Sequence, residues 1–367
     1  MKFTCQRDII LKEISDAGDF TSQKTSQTIL SSVYISLSGD SLTIKTTDQK
    51  MGFFSEITVM GNEDGSFAVM CDKLSEILKN LPASEILFEE KEEKLLISPL
   101  NSSIEFSLRM MDPSGFPEMD IPPYENFFKI PQKDMTDMIN QVSFAVSDDE
   151  TKFAMNGALF EKDSSGIIMV GTDGRRLSYI NRKIATEIPD FGKITIPSRF
   201  LSIIKKHSLN EGDFDVCVTS QSLYVKSANC IIFSNLIKNE FPSYRRVIPE
   251  KQTYSCIVNI KALEEAIKRV SLLVESKYKK LIIEFSPSKL TLSTEHAEVG
   301  SGKEEIPCNY DGETQKSAVN YMYLLNPIRV MEGENVKIEF SENGRPFTVT
   351  PEPERDYLHV IMPMNLK

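Results

Sequence analysis

Three stretches of this chain repeat one pattern. Phe3-Thr4-Cys5-Gln6 leads to Ile10, Ile14 and Ala17; Phe128-Lys129-Ile130-Pro131 leads to Met135, Ile139 and Val142; Cys256-Ile257-Val258-Asn259 leads to Leu263, Ile267 and Val270. Each reads as a short alternating strand, a helix-starting residue, and apolar residues at helical spacing. The offsets are 125 and 128 residues, so the 367-residue chain is built as three similar thirds. The pattern recurs inside each third. Val69-Met70-Cys71 precedes Leu74 and Leu78, Thr195-Ile196-Pro197 precedes Phe200 and Ile204, and Ala318-Val319-Asn320 precedes Leu324 and Ile328. Six strand-to-helix junctions therefore fall near residues 5, 70, 130, 196, 258 and 319, about every 61 residues.

The six helices are expected over 6–16, 71–80, 131–142, 197–207, 259–270 and 320–330. Pro131 and Pro197 suit a first helical turn, where a missing N–H costs nothing. Asn259 and Asn320 suit N-caps. Between the junctions the sequence reads as hairpins, such as Val33–Leu37 with Ser41–Lys45 around Gly39-Asp40, and Leu281–Phe285 with Lys289–Leu292 around a Ser-Pro-Ser turn. The acidic run Glu89–Glu93 reads as another, solvated hairpin. One helix per several strands implies an α+β fold, with antiparallel sheets covered on one face by helices. Linkers at Ile121–Glu125 and Pro249–Gln252 divide the chain into domains 1–125, 126–252 and 253–367.

Nothing positive points to catalysis. The three histidines, His207, His296 and His359, show no metal-ligand spacing. Gly300-Ser301-Gly302-Lys303 lacks the spacing and the Ser or Thr of a phosphate loop, and there is no nucleophile elbow. No metal or other cofactor is expected. The six cysteines are far apart, with no Cys-x-x-Cys, and read as free, mostly buried thiols. No apolar run reaches the ~18 residues of a membrane span. The start of the chain enters a folded pattern without a signal core. These features predict a cytoplasmic protein that does not bind membranes.

The net charge is −11, which by itself argues against nucleic acid as a partner. The charge is uneven, however. The six expected helices sum to +3 and leave −14 for the rest. A neutral-to-basic helical layer can face phosphates while an acidic exterior repels them elsewhere.

Several stretches are more specific. They are Met1–Thr4, Asn156-Gly157-Ala158-Leu159-Phe160-Glu161, Thr172-Asp173-Gly174-Arg175-Arg176-Leu177, Phe241-Pro242-Ser243-Tyr244-Arg245-Arg246-Val247-Ile248-Pro249, and the tail Val360-Ile361-Met362-Pro363-Met364. In these, over essentially the whole chain, the sequence resembles the bacterial sliding clamps, the beta subunits of DNA polymerase III. The resemblance implies a head-to-tail homodimer closing a six-domain ring around duplex DNA. Geometry agrees. Twelve helices at ~9 Å spacing give a diameter of roughly 35 Å. That passes a duplex roughly 20 Å across with water to spare. One chain alone gives half the circumference.

By resemblance, the ring is a non-enzymatic tether for processive DNA replication. Its implied partners are duplex DNA irrespective of sequence, the replicative polymerase catalytic subunit, the clamp loader ATPase, and other clamp-binding-motif proteins of replication and repair. The implied DNA contacts are Lys24, Lys152, Phe153, Arg199, Lys205 and Lys206. Ala154 stands where the family often has a second aromatic. The implied peptide groove comprises Met155, Thr172, Gly174, Arg175, Arg176, Leu177, Pro242, Arg246, Val247, Asn320, Tyr323, Pro346, Val360, Met362, Pro363 and Met364. Met and Pro offer an adaptable apolar floor, and Arg176 and Arg246 can bond peptide carbonyls or carboxylates. At the ring seam, Phe106 and Leu108 are expected to meet Leu272 and Leu273, with Lys73 and Arg109 facing Glu298, Glu304 and Glu305. Two other readings remain open. One is a non-encircling peptide-binding scaffold. The other is an enzyme with a scattered site, in which Asp173, Arg176 and Arg246 hold an anion or metal.

Overall fold

The computed structural model describes residues 1–22, 28–275, 277–294, 300–342 and 344–366. Lys24 and Glu298, expected at the DNA and the seam, lie outside the described residues, as does His296. Among the described residues, six strands run directly into six α-helices. Lys2–Gln6 enters α1 (Arg7–Ala17), Gly65–Met70 enters α2 (Cys71–Asn80), and Phe128–Pro131 enters α3 (Gln132–Val142). Lys193–Pro197 enters α4 (Ser198–Lys206), Tyr254–Asn259 enters α5 (Ile260–Val270), and Gln315–Asn320 enters α6 (Tyr321–Val330). The expected boundaries agree to within one residue. Each helix follows the 3.6-residue spacing: α5, for example, buries Leu263, Ala266, Ile267 and Val270.

Two local expectations resolve differently. Asn259 and Asn320 are N-caps, accepting from the N–H groups of Ala262 and Met322 at 3.0 Å. Pro131 and Pro197 do not enter a first helical turn. They end their strands, opposite Asp213 and Gly157. A final ladder position tolerates a residue that cannot donate. The acidic run is the expected hairpin: Glu92 and Glu93 take positive φ, 49° and 62°, between Glu85–Lys91 and Lys94–Pro99. Both angles suit a two-residue turn whose twist matches its strands. All six cysteines are free, and all but Cys308 are buried.

Contacts divide the chain into two compact units. The first comprises residues 1–132, 187–189 and 206–236, and the second 133–186, 190–205 and 237–367. The sheets explain this division. In the first unit, an eight-stranded sheet joins the central third to the first third: Cys230–Asn235 pairs with Met51–Thr58, Cys230 opposite Ser55. A buried chain of bonds reinforces the join. The Ser55 hydroxyl donates to the Glu13 carboxylate of α1 at 2.6 Å and accepts from the Asn229 amide at 2.8 Å. In the second unit, another eight-stranded sheet joins the central third to the last: Arg176–Arg182 pairs with Tyr357–Ile361. A smaller sheet completes each unit, five-stranded in the first and four-stranded in the second. The central third thus lends strands to both large sheets.

The caps provide a test. Asn259→Ala and Asn320→Ala are each expected to lower stability by about 1 kcal/mol. Gln6, before α1, makes no capping bond, so Gln6→Ala is expected to change little. Urea unfolding of the three variants measures the contrast, and equal losses would contradict the assignment.

Candidate functional site

In the second unit, the strand Gly166–Thr172 turns back as Arg176–Arg182. Thr172 Oγ1 donates to the Arg176 carbonyl (2.6 Å) and accepts from the Gly174 N–H (3.1 Å). One Asp173 carboxylate oxygen accepts from the N–H groups of Arg175 (2.8 Å) and Arg176 (3.1 Å). Gly174 supplies the left-handed residue, φ 86°. The same bonds close the turn at Thr47 and Asp48 in the first unit, where Gln49 takes φ 71°. The turn is a property of the repeat, and the second copy is distinguished by its surroundings.

There the apolar tail is tied along its length. Leu177 lies opposite Val360 and Arg176 opposite Ile361. The Met362 N–H donates to the Arg175 carbonyl at 2.9 Å, and the Met364 N–H to the Ala318 carbonyl at 2.7 Å. The Asn320 cap starts α6, which carries Tyr323 to Arg176. The guanidinium sits 4.6 Å from the Tyr323 ring centroid and 5.7 Å from that of Phe144, with Nε 3.1 Å from the Asp173 carboxylate. Arg176 is therefore part of the wall. His359, between the strands, is fully buried with Nδ1 3.0 Å from Ser178 Oγ. Burial pushes its pKa down to about 3, so it is neutral.

These elements enclose a groove of about 820 Å³ lined by Arg175, Asn320, Tyr323, Met362, Pro363 and Met364 of the expected set. Its other side is Leu273, Val274, Glu275, Lys277, Tyr278, Lys279 and Lys280. Sequence reasoning assigned no groove role to these. Leu273 was expected at the seam, and the Lys-Tyr-Lys-Lys run was the only signal for the others. Thr172, Gly174 and Leu177 belong to the turn and ladder of the wall. Pro242 and Arg246 line a separate recess of about 390 Å³ with Leu159 and Ile237. Val247 is half-exposed beyond them. Pro346 accepts through its carbonyl from the Gln252 amide at 2.9 Å. Met155 ends the short turn Phe153–Met155, its carbonyl accepting from Ser147.

Tyr244 connects the Phe241–Val247 segment to the groove wall. Its ring is buried with Leu177 and Val360, and its hydroxyl donates to Glu161 at 2.7 Å. Glu161 is only 2% exposed. The Arg245 guanidinium reaches the same Glu161 oxygen at 3.1 Å and Asp163 at 3.0 Å, and the Lys193 ammonium lies 3.2 Å from the other Glu161 oxygen. Burial alone would raise the Glu161 pKa, but the bonds from Tyr244, Arg245 and Lys193 outweigh it and hold it below the usual carboxylate range. Asp163 falls to about 2, chiefly through its bond from Ser165.

The other expected residues are dispersed. Lys152 donates to the Asp173 carbonyl at 2.8 Å, beside the groove wall. Phe153 is 64% exposed. Arg199 and Lys205 are exposed on α4. Lys206 is already paired with Asp19 at 2.6 Å. In the first unit, Phe106, 39% exposed, Leu108 and Arg109 share the edge strand Phe106–Arg109, and Lys73 pairs with Glu76 at 2.9 Å. In the second, Leu272 is 82% exposed. Glu304 is held by Arg269 at 2.6 Å, and Glu305 by Lys303 at 2.9 Å. Lys73, Glu304 and Glu305 thus have partners within their own units. Exposed pairs of this kind are weak enough to exchange partners.

Models of the DNA polymerase III beta subunit match three consecutive parts of the chain: the N-terminal domain over residues 1–120, the central domain over 129–243 and the C-terminal domain over 245–365. The chain belongs to this family, the bacterial sliding clamps. It is 38% identical to the beta sliding clamp of Treponema pallidum, over 99% of both chains. DNA polymerase III subunit beta of Pseudomonas aeruginosa superposes over all of both chains with a TM-score of 0.94 at 25% identity. That of Borrelia burgdorferi, solved in complex with a natural product, superposes with a TM-score of 0.91 at 26% identity over 100% of this chain and 99% of that one. The chain is accordingly a DNA sliding clamp of replication, and not an enzyme. No helix among the described residues is long and apolar enough to cross a membrane.

The Glu161 cluster predicts an acid-sensitive groove wall in this sliding clamp. A carboxylate depressed in the folded state stabilises fully above its unfolded pKa of about 4.3, and that contribution is lost as pH falls through the folded value. Tyr244→Phe is expected to cost about 1–3 kcal/mol at neutral pH. Glu161→Gln should flatten the loss of stability on acidification. Unfolding in urea at neutral and acid pH measures both, and an unchanged acid profile in Glu161→Gln would contradict the assignment.

Proposed function

We propose that two copies of this chain join head to tail in a ring through which duplex DNA passes, and that the ring holds the replicative polymerase catalytic subunit on its template. The observation that carries this reading is the sixfold strand-to-helix repeat in a member of the clamp family. Two copies supply twelve helices, enough for a ring roughly 35 Å across. Helices that sum to +3 in a chain of −11 suit a lining that faces phosphates and leaves the exterior acidic. Contacts to phosphates through water, without base readout, permit sliding.

In this reading the chain works in the cytoplasm as three clamp domains, 1–125, 126–252 and 253–367. Lys24, Lys152, Phe153, Arg199, Lys205 and Lys206 approach DNA, with Lys206 contributing less because Asp19 already answers its charge. Phe106 and Leu272 are the apolar anchors of the seam, flanked by Leu108, Leu273, Lys73, Arg109, Glu298, Glu304 and Glu305. The groove around Met362 takes short apolar peptide segments of the polymerase, of a clamp loader ATPase and of other replication and repair proteins, which compete for it. The recess at Pro242 and Arg246 extends that site. No observation favours a scaffold that encircles no DNA.

Primer extension by the polymerase, with loader and ATP, tests the reading. The chain is expected to lengthen the product of one polymerase binding event many-fold. Leu272→Asp, at an exposed position where the fold tolerates the change, should leave a monomer by light scattering and abolish the lengthening. Products of unchanged length with the parent protein, or a fully active Leu272→Asp monomer, would contradict it.

A further inference from the structure

A second cavity of the second unit, about 600 Å³, belongs to none of the sites above. One wall is a single face of α3, where Lys133, Asp137 and Gln141 recur at helical spacing. The opposite wall is the C-terminal end of α6 with Glu332 beyond it, and the residues Arg355 and Asp356 that lead into the last strand. Arg182 lies between the walls. Its Nε is 3.1 Å from Asp356 and 3.6 Å from Asp134, while Asp137 is the most distant of the three carboxylates, 3.8 Å from Nη2. Four carboxylates and four cations line the cavity, but the cations are unevenly used. Arg355 pairs with Glu332, and Arg329 with Glu264 at 3.7 Å. Arg182 serves three carboxylates at once. Lys133 is exposed and makes no ion pair among the described residues. Two adjacent acceptors remain. Asp137 accepts no hydrogen bond among the described residues. Gln141, one turn further on, is only 6% exposed. Its amide nitrogen donates to the Val330 carbonyl at 2.9 Å, which fixes the amide, and its oxygen has no partner. An unpaired acceptor buried in this way costs free energy. Burial, with Glu332 and Asp134 nearby, raises the Asp137 pKa although Arg182 and Lys133 oppose the shift. The end of α6 adds the negative end of a helix dipole.

We propose that this cavity binds a linear polyamine, with one ammonium group at Asp137 and the Gln141 side-chain oxygen and another toward Asp134 and Asp356. An ammonium carries several donors and no acceptor, which is what adjacent acceptors without a donor require. A further ammonium along the same chain matches carboxylates that are spread out and not gathered at one point. From Lys133 to Gln141, α3 runs roughly 12 Å at about 1.5 Å per residue, a span comparable to an extended triamine. A metal ion suits the walls less well, since no three His, Cys, Asp or Glu among the described residues converge to hold one. The polyamine lies between α3 of the central third and the end of α6 in the last third, and its binding stabilises the folded chain by mass action.

The test is calorimetric titration of the full-length protein with spermidine at about 50 mM salt, where charge pairing is little screened. Saturable binding at a single site per chain is expected. Asp137→Asn, at a partly exposed position, should weaken it about tenfold or more. Glu92→Gln, which removes an exposed carboxylate from the hairpin of the first unit, should leave it unchanged. Gln141→Met removes the unpaired oxygen at similar volume and is expected to weaken binding as Asp137→Asn does. Its melting curve without ligand shows whether it folds, and Asp137→Asn carries the test if it does not. Unsaturable binding that is equal in the parent, Asp137→Asn and Glu92→Gln would overturn the site and leave spermidine as a counterion of an acidic chain. Tighter binding of Mg²⁺, lost in Asp137→Asn, would make the cavity a metal site and overturn the polyamine. A trilysine peptide that binds more tightly than spermidine and depends on Asp137 would assign the cavity to the lysines of another protein, and would overturn it likewise.

Discussion

The antiparallel ladder between Arg176–Arg182 and Tyr357–Ile361 is the contact on which the candidate site depends. It joins residues about as far apart in the chain as Leu177 and Val360, which face each other directly. The bond from the Met362 N–H to the Arg175 carbonyl continues the ladder past the last strand residue. One wall of the groove is thus the end of a strand from the central third, and its floor is the continuation of a strand from the last third. A shift of one residue would turn every side chain of the second strand to the opposite face, burying Met362 and exposing the core. The matching ladder in the first unit, Cys230–Asn235 on Met51–Thr58, uses the other end of the central third. Pairing on both sides leaves no long open edges there, which would otherwise invite unwanted pairing with other chains.

Burial decides which charges around the groove are tied into its wall. Glu161 is buried, with one oxygen bonded by Tyr244 and Arg245 and the other facing the Lys193 ammonium at 3.2 Å, so removing one partner leaves a carboxylate short of bonds in a dry place. Arg176 is stacked between rings and paired with Asp173, which makes it a structural cation although it borders the groove. Arg175, its neighbour in sequence, is exposed and faces the cavity. Two adjacent arginines therefore have opposite environments, set by the turn between Thr172 and Arg176. The turn at Thr47 closes with the same bonds, so the motif alone does not distinguish the groove wall.

Local pattern made much of the fold legible. The helices were readable because their apolar residues recur at helical spacing, and the caps at Asn259 and Asn320 because an amide there satisfies an orphan N–H. The hairpins were readable from alternation and turn residues. The continuity of the sheets was not, because pairing of Leu177 with Val360 leaves no trace in either strand taken alone. For the same reason a division into thirds, plain in the repeats, gives no hint that contacts split the central third between two units. Of the candidate groove, the turn and the tail were visible as motifs. The side formed by Leu273 to Lys280 was not, since an exposed, mixed segment has no periodicity to read. The pairing of Lys206 with Asp19 was hidden likewise, because it joins residues remote in the chain.

The central claim is that the protein holds DNA by encirclement and not by affinity, and topology tests it most directly. The protein is loaded onto a nicked circular plasmid, separated from free protein by gel filtration, and the plasmid is then cut once. The account predicts that the protein stays with the circle through high salt and leaves the linear form by running off its ends. Equal retention on circular and linear DNA, or release from the circle by salt alone, would contradict it.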